Sequence, residues 1–221
     1  EGLTVRNGHL LGGADGPGVF NAGTLDVVGV TIDSNDATVS GSQGGAIYNQ
    51  GTLTIANSLL TNNMVHGGGG GVFNATGLTA TITNTTFDNN RSNSGSGGAI
   101  DNEDNAVLSV TGSTFTNNFA NGSGGAVLNY GGTATITNSV IDSNSVSAGT
   151  SGGGLANRID GVMTVTGSTI TRNSGQGAGA LYNVESAQLT VIGSAIVNNL
   201  AGSTIVTNAN SAVMTIINST F

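Results

Sequence analysis

Residues Gly44 to Asn63 read GGAIYNQGTLTIANSLLTNN, and this stretch decides the fold. It holds two glycines, an aliphatic residue two places before an asparagine, an alternating apolar segment and a second asparagine three places after an aliphatic one. Near-copies of it fill the chain. The first Asn of each copy falls at Asn21, Asn49, Asn74, Asn102, Asn129, Asn157, Asn183 and Asn208, with steps of 28, 25, 28, 27, 28, 26 and 25 residues. Self-similarity at such a period marks a repeat architecture, in which no unit buries its apolar face alone and stacked units share one core.

The apolar positions fall into three registers. The first is Val19, Ile47, Val72, Ile100, Val127, Leu155, Leu181 and Val206, two residues before each Asn. The second pairs Leu25 with Val27, Leu53 with Ile55, and so on to Met214 with Ile216. The third runs Val5, Ile32, Leu60, Phe87, Phe115, Ile141, Ile170, Ile196, Phe221. Each segment alternates with period two, as a strand with one inward face does. Gly and Asn stand between the segments, where turns need positive φ or side-chain caps. The chain therefore reads as all-β: a right-handed, single-stranded parallel β-helix of about eight coils of 25–29 residues, with three short strands per coil. The hand follows from the strong preference of parallel crossovers. Eight coils at roughly 4.8 Å make a rod on the order of 40 Å long.

Asn at two fixed corners of every coil predicts stacked amide ladders, so Asn21, Asn49, Asn74, Asn102, Asn129, Asn157, Asn183 and Asn208 are assigned to structure. The Gly pairs are backbone devices. Gly67 to Gly71 is no phosphate loop, since neither Lys nor a helix follows.

Composition narrows the function classes. Of 221 residues, 7% are charged and 4% aromatic; Cys is absent, as is Lys, and four Arg against twelve acids give a net charge of −8. Disulfides and thiolate metal sites are excluded, and a nucleic-acid partner is disfavoured. No run is long and apolar enough for a membrane-spanning helix. Glu1 to Asn7 matches the end of a coil and Phe221 falls at the same azimuth. One solenoid domain is thus expected over 1–221, as a segment of a longer solenoid or an end-to-end stacking unit.

GGAIYN, GGAIDN and GGAVLN, with Phe87-Asn90 and Phe115-Asn118 as FxxN matches, resemble the GGA(I/L/V) and FxxN repeats of chlamydial polymorphic outer-membrane proteins. They also resemble the β-helix repeats of large secreted bacterial surface proteins. The resemblance implies an extracellular or cell-surface β-helix with an adhesive role. It carries no catalytic signature.

Candidate chemistry is sparse. Asp101, Glu103 and Asp104 form a weak calcium candidate, because calcium wants six or more oxygens and neighbouring corners supply no acids. No other cofactor is expected. Asp33, Asp88 and Asp142 share an outward register, with Thr61, Thr116 and Thr171 spacing like charges about 9.6 Å apart. His9 and His66 stand isolated in sequence. One outward row, Thr54, Thr81, Ser109, Thr135, Thr164, Thr190 and Thr215, runs beside Thr83, Thr111, Thr137 and Thr166, broken by Val28, Ala56, Ile192 and Ile217. It is a Thr-x-Thr face of the kind that could order ice, or simply Thr where exposed strands favour it. A second row, Phe20, Tyr48, Phe73, Asp101, Leu128, Ala156, Tyr182 and Thr207, also alternates outward. Its aromatics would form an exposed strip for a glycan or a protein partner unless a loop folds over them. The arc between the second Asn and the next Gly pair varies most, from LAGS (200–203) to DATVSGSQ (36–43), and variable arcs on a rigid frame are where binding is expected. The chain is thus expected to be a non-enzymatic stalk or a filament or sheath subunit. Its expected partners are itself or further repeats, with extracellular glycan as an alternative. A glycan- or ice-binding module is the second expectation, and a polysaccharide lyase or hydrolase the third.

Overall fold

The computed structural model describes residues 2–37 and 39–221; Glu1 and Thr38 lie outside the described residues. Among the described residues there is no helix. The strands form four parallel sheets that run the length of a solenoid, three with eight strands and one with seven. One coil shows the plan: Ile47–Asn49, Thr52–Ala56, Leu59–Thr61 and Met64–Val65. Each strand pairs in parallel with its counterpart one coil away, in register except for one irregularity between Ala178 and Leu181, where Ala178–Asn183 meets Thr204–Asn208. Ile47 aligns with Val72, Leu53 with Ala80 and Leu60 with Phe87.

The three expected registers are the inward faces of the three longer sheets. Ile47, Leu53, Ile55, Leu60, Ile82, Phe87, Ile100, Phe115 and Ile136 are all buried and join one continuous apolar column. Phe87 and Phe115 stack within it, ring centroids 4.9 Å apart and planes 7° from parallel. The three-strand coil needs one correction. A fourth strand of two residues follows the second Asn of each coil, as in Arg91–Ser92 and Phe119–Ala120. Two residues are too short to show a period, so the sequence conceals it.

The Asn ladders hold as expected. In the first, each side-chain Nδ2 donates to Oδ1 of the next coil's Asn, from Asn21 to Asn208, at 2.7–2.9 Å. A second runs Asn35, Asn63, Asn90, Asn118, Asn144, Asn173 and Asn199 at 2.9–3.0 Å. A member such as Asn118 is fully satisfied. Its Nδ2 donates to Asn144 Oδ1 and to the Phe87 carbonyl, while its Oδ1 accepts from the side chain and backbone N–H of Asn90. All but the last member of each ladder, Asn199 and Asn208, are buried, and their partners offset the cost of leaving water.

A third ladder has no counterpart in the sequence reading. At the corner between the second and third sheets, Ser113, Ser139, Ser168, Ser194 and Ser219 each accept at Oγ the backbone N–H of the preceding coil's Thr85, Ser113, Ser139, Ser168 and Ser194, all at 3.1 Å. Most of these hydroxyls donate to the carbonyl two residues before them in their own coil, as Ser139 does to Thr137 at 2.9 Å.

Candidate functional site

The two outward rows meet different fates. On the second sheet, strand register puts Thr54, Thr81, Ser109, Thr135, Thr164, Thr190 and Thr215 in one column and Thr83, Thr111, Thr137 and Thr166 in the next. All of them are partly or fully exposed. The row on the first sheet is not the open strip that alternation suggests. Phe20, Tyr48 and Phe73 do stack, with centroids 5.5 and 5.3 Å apart and planes 14° and 2° from parallel. Phe20 is 53% exposed, but Tyr48 is only 8% and Phe73 5%. A glycine-rich lead-in packs against Tyr48: a Cβ on Gly16 would stand 3.0 Å from Tyr48 Cβ. The middle of the row, Tyr48, Phe73, Asp101, Leu128 and Ala156, points away from the central column but into a second buried layer.

Asp101 stands in that layer, between Phe73 and Leu128 in register, and is 4% exposed. Gly68 packs against its carboxylate, where any Cβ would overlap Oδ2, and Oδ1 has no hydrogen-bond partner. Burial, and secondarily the neighbouring Glu103, push the Asp101 pKa well above the usual carboxylate range. Half-buried Glu103 is raised too, first by burial and then by Asp104. The calcium candidates Asp101 and Asp104 have separate neighbours. Asp101 points under Gly68 and Asp104 toward Gly131, and among the described residues no three acidic or imidazole side chains converge as a metal site.

The outward acids of the third sheet are tied up by the coil that follows. Asp33 accepts from Asn62, Asp88 from Thr116 and Asn117, and Asp142 from Arg172. The guanidinium of Arg172 holds Asp142 below its ordinary pKa. The Thr residues between them therefore keep like charges apart, and one of them also donates a hydrogen bond. The isolated histidines gain neighbours one coil away: His66 Nε2 lies 3.3 Å from Ser94 Oγ, and His9 Nδ1 3.8 Å from Asp36. Among the described residues no carboxylate joins the His66–Ser94 pair.

One concavity is a cleft of about 540 Å³ lined by Gln43, Tyr48, Gln50, Phe73, Ala75, Thr76, Leu78 and Glu103. Its origin is a change in corner length. Between the first and second strands, only Gln50 and Gly51 turn the chain after Asn49, whereas four residues do so after Asn74 and after Asn102. The longer corners overhang the shorter one and leave a step. Phe73 and Tyr48 lie at its base, and Gln43 enters from the variable arc. The sequence places binding on the two outward rows and the variable arc, which include Tyr48, Phe73 and Gln43 of this lining, but not on the corner itself. The signal is present, since the spacing from Asn49, Asn74 and Asn102 to the first residue of the next alternating segment, Thr52, Thr79 and Val107, goes from three residues to five.

A continuous parallel stack, amide ladders at two corners and a Gly pair ahead of five of the eight Asn strands define the class: a parallel β-helix repeat protein. Within it, residues 84–103 and 112–130 match the Chlamydia polymorphic membrane protein repeat. Both matches start just before an FxxN segment and end in a GGA-aliphatic-x-Asn strand, so the resemblance read from the sequence rests on the same residues. No curated protein and no solved structure matches the chain significantly.

Proposed function

We propose that this chain is a non-catalytic, surface-displayed rod of a bacterial cell, with an adhesive role. The observation that carries it is the match of two adjacent coils to a repeat named for a polymorphic membrane protein, in a solenoid whose interior is uniform while its corners and arcs vary. A regular core with variable edges suits presentation of binding loops at a distance. A stalk needs stiffness, and the in-register ladders supply it along the axis. Each ladder also has one direction, donor to acceptor from coil to coil, so a further coil or a second copy stacked on the rod would continue it. That favours assembly into longer rods as a second reading. The acids speak for a structural rather than hydrolytic use, because Asp33, Asp88 and Asp142 are engaged by neighbouring side chains and Asp101 is buried.

The test is display of the chain on a non-adherent bacterium, with attachment to host-type and bacterial cell layers counted. Attachment above an unrelated β-helix of equal length supports the proposal. Equal counts on every layer would remove it. Electron microscopy at high concentration addresses assembly, for which end-to-end filaments are expected and monodisperse short rods would argue against it.

A further inference from the structure

We infer that the step cleft between the short corner at Gln50 and the long corners at Ala75–Leu78 and Glu103–Ala106 binds a neutral saccharide unit. This rests on the reading of the rod as adhesive and gives that reading a ligand class. The cleft has the volume of a small-ligand site, which commonly runs about 300–1,000 Å³. Its groups suit hydroxyl-rich ligands: two carboxamides, a phenol, a hydroxyl and a carboxylate around a patch of Phe73, Ala75 and Leu78. Carboxamides both donate and accept, so Gln43 and Gln50 can each meet vicinal hydroxyls, while Glu103 accepts from them. Gln50 Nε2 donates to the Tyr48 hydroxyl at 3.2 Å, which aligns these two groups and leaves the phenol proton free to donate outward.

Two observations narrow the ligand further. No basic side chain lines the cleft, and Glu103 is at its wall with Asp104 beside it, in a chain of net charge −8. Anionic sugars are therefore repelled, and neutral or amide-bearing pyranoses are accepted. The aromatic rings do not offer their faces, because Tyr48 is sandwiched between Phe20 and Phe73 along the rod. Recognition is consequently by edge contacts and hydrogen bonds, not by stacking of a sugar ring on an open aromatic plate.

The experiment combines a printed array of neutral and acidic oligosaccharides with saturation-transfer NMR on methyl pyranosides of glucose, galactose, mannose and N-acetylglucosamine. Binding to neutral glycans is expected, with none to sialylated, uronic or sulfated ones. Gln50→Ala should weaken it about tenfold, as loss of one or two hydrogen bonds does. Tyr48→Phe, which keeps the ring stack, should weaken it about threefold or more. Gln50 lies on an exposed corner, and circular dichroism of each variant confirms the fold. Preference for acidic glycans, no transfer to any of the four pyranosides, or affinity unchanged in both variants would each overturn the proposal. Cell attachment that survives Gln50→Ala would also overturn it while leaving the adhesive role standing; absence of attachment by the parent chain is the separate failure of that role.

Discussion

At the residue scale, two populations of asparagine share one composition and have opposite environments. In Asn117-Asn118, Asn117 is exposed with φ +56, a conformation that Asn and Gly tolerate, while Asn118 is buried in the second ladder. Asn118→Ala would remove the acceptor of the Asn90 backbone N–H and of one Asn90 side-chain N–H, and a donor to the Phe87 carbonyl. Each buried group left unpaired costs about 1–3 kcal/mol, so a loss of at least about 2 kcal/mol is expected in urea unfolding. Asn117→Gly should stay within about 1 kcal/mol of the parent, because its side-chain bond to Asp88 is exposed. Equal losses would contradict the ladder's role. Asp101 gives a pH signature. Its pKa is raised on folding, so the folded state holds the proton more tightly. Its contribution is fully present below about pH 4, the ordinary carboxyl value, and is lost as pH rises through the folded-state value. Glu103 acts in the same direction, whereas half-buried Asp142, held low by Arg172, acts in the other. Asp101→Asn should therefore be more stable than the parent at pH 7, with the advantage shrinking toward pH 4. A constant offset across that range, in unfolding midpoints at each pH, would show that the buried carboxyl does not titrate as described.

At the element scale, close approach between coils sets what each position accepts. Gly98 begins the lead-in to a first-sheet strand, and a Cβ there would overlap the Gly125 carbonyl oxygen and come within 2.7 Å of the Phe119 carbonyl. Gly98→Ala should cost about 1–3 kcal/mol, as overpacking does. Gly23→Ala, with open space around it, should be near neutral. Thermal melts of the two variants check the contrast. The elements also show what sequence could and could not convey. Longer strands such as Thr52–Ala56 announce themselves by alternation, and the Asn and Gly corners by their recurrence. The two-residue strands do not, and neither does the Ser ladder, because Ser113 and Ser139 look like ordinary turn residues until stacking sets one above the next. The row through Tyr48 and Phe73 misled for a related reason. Alternation tells on which side of a strand a side chain lies, but not whether the chain's own glycine-rich segment returns to cover that side.

For the whole molecule, the coils supply a uniform frame and the site lies where uniformity fails. Most of the fold was legible because every coil repeats the same evidence. The cleft was not, because it depends on the difference between adjacent corners, Gln50-Gly51 against Ala75–Leu78, and on Gln43 arriving from another part of the coil. The regular Thr face on the second sheet is the competing surface, and Thr135 sits in the middle of it. A crystal structure of the chain soaked in the four neutral methyl pyranosides separates the two most directly. The account predicts a sugar in the step cleft, hydrogen-bonded to Gln50 and the Tyr48 hydroxyl with Glu103 alongside. Sugar bound on the Thr columns around Thr135, or a cleft holding only water at saturating sugar, would contradict it.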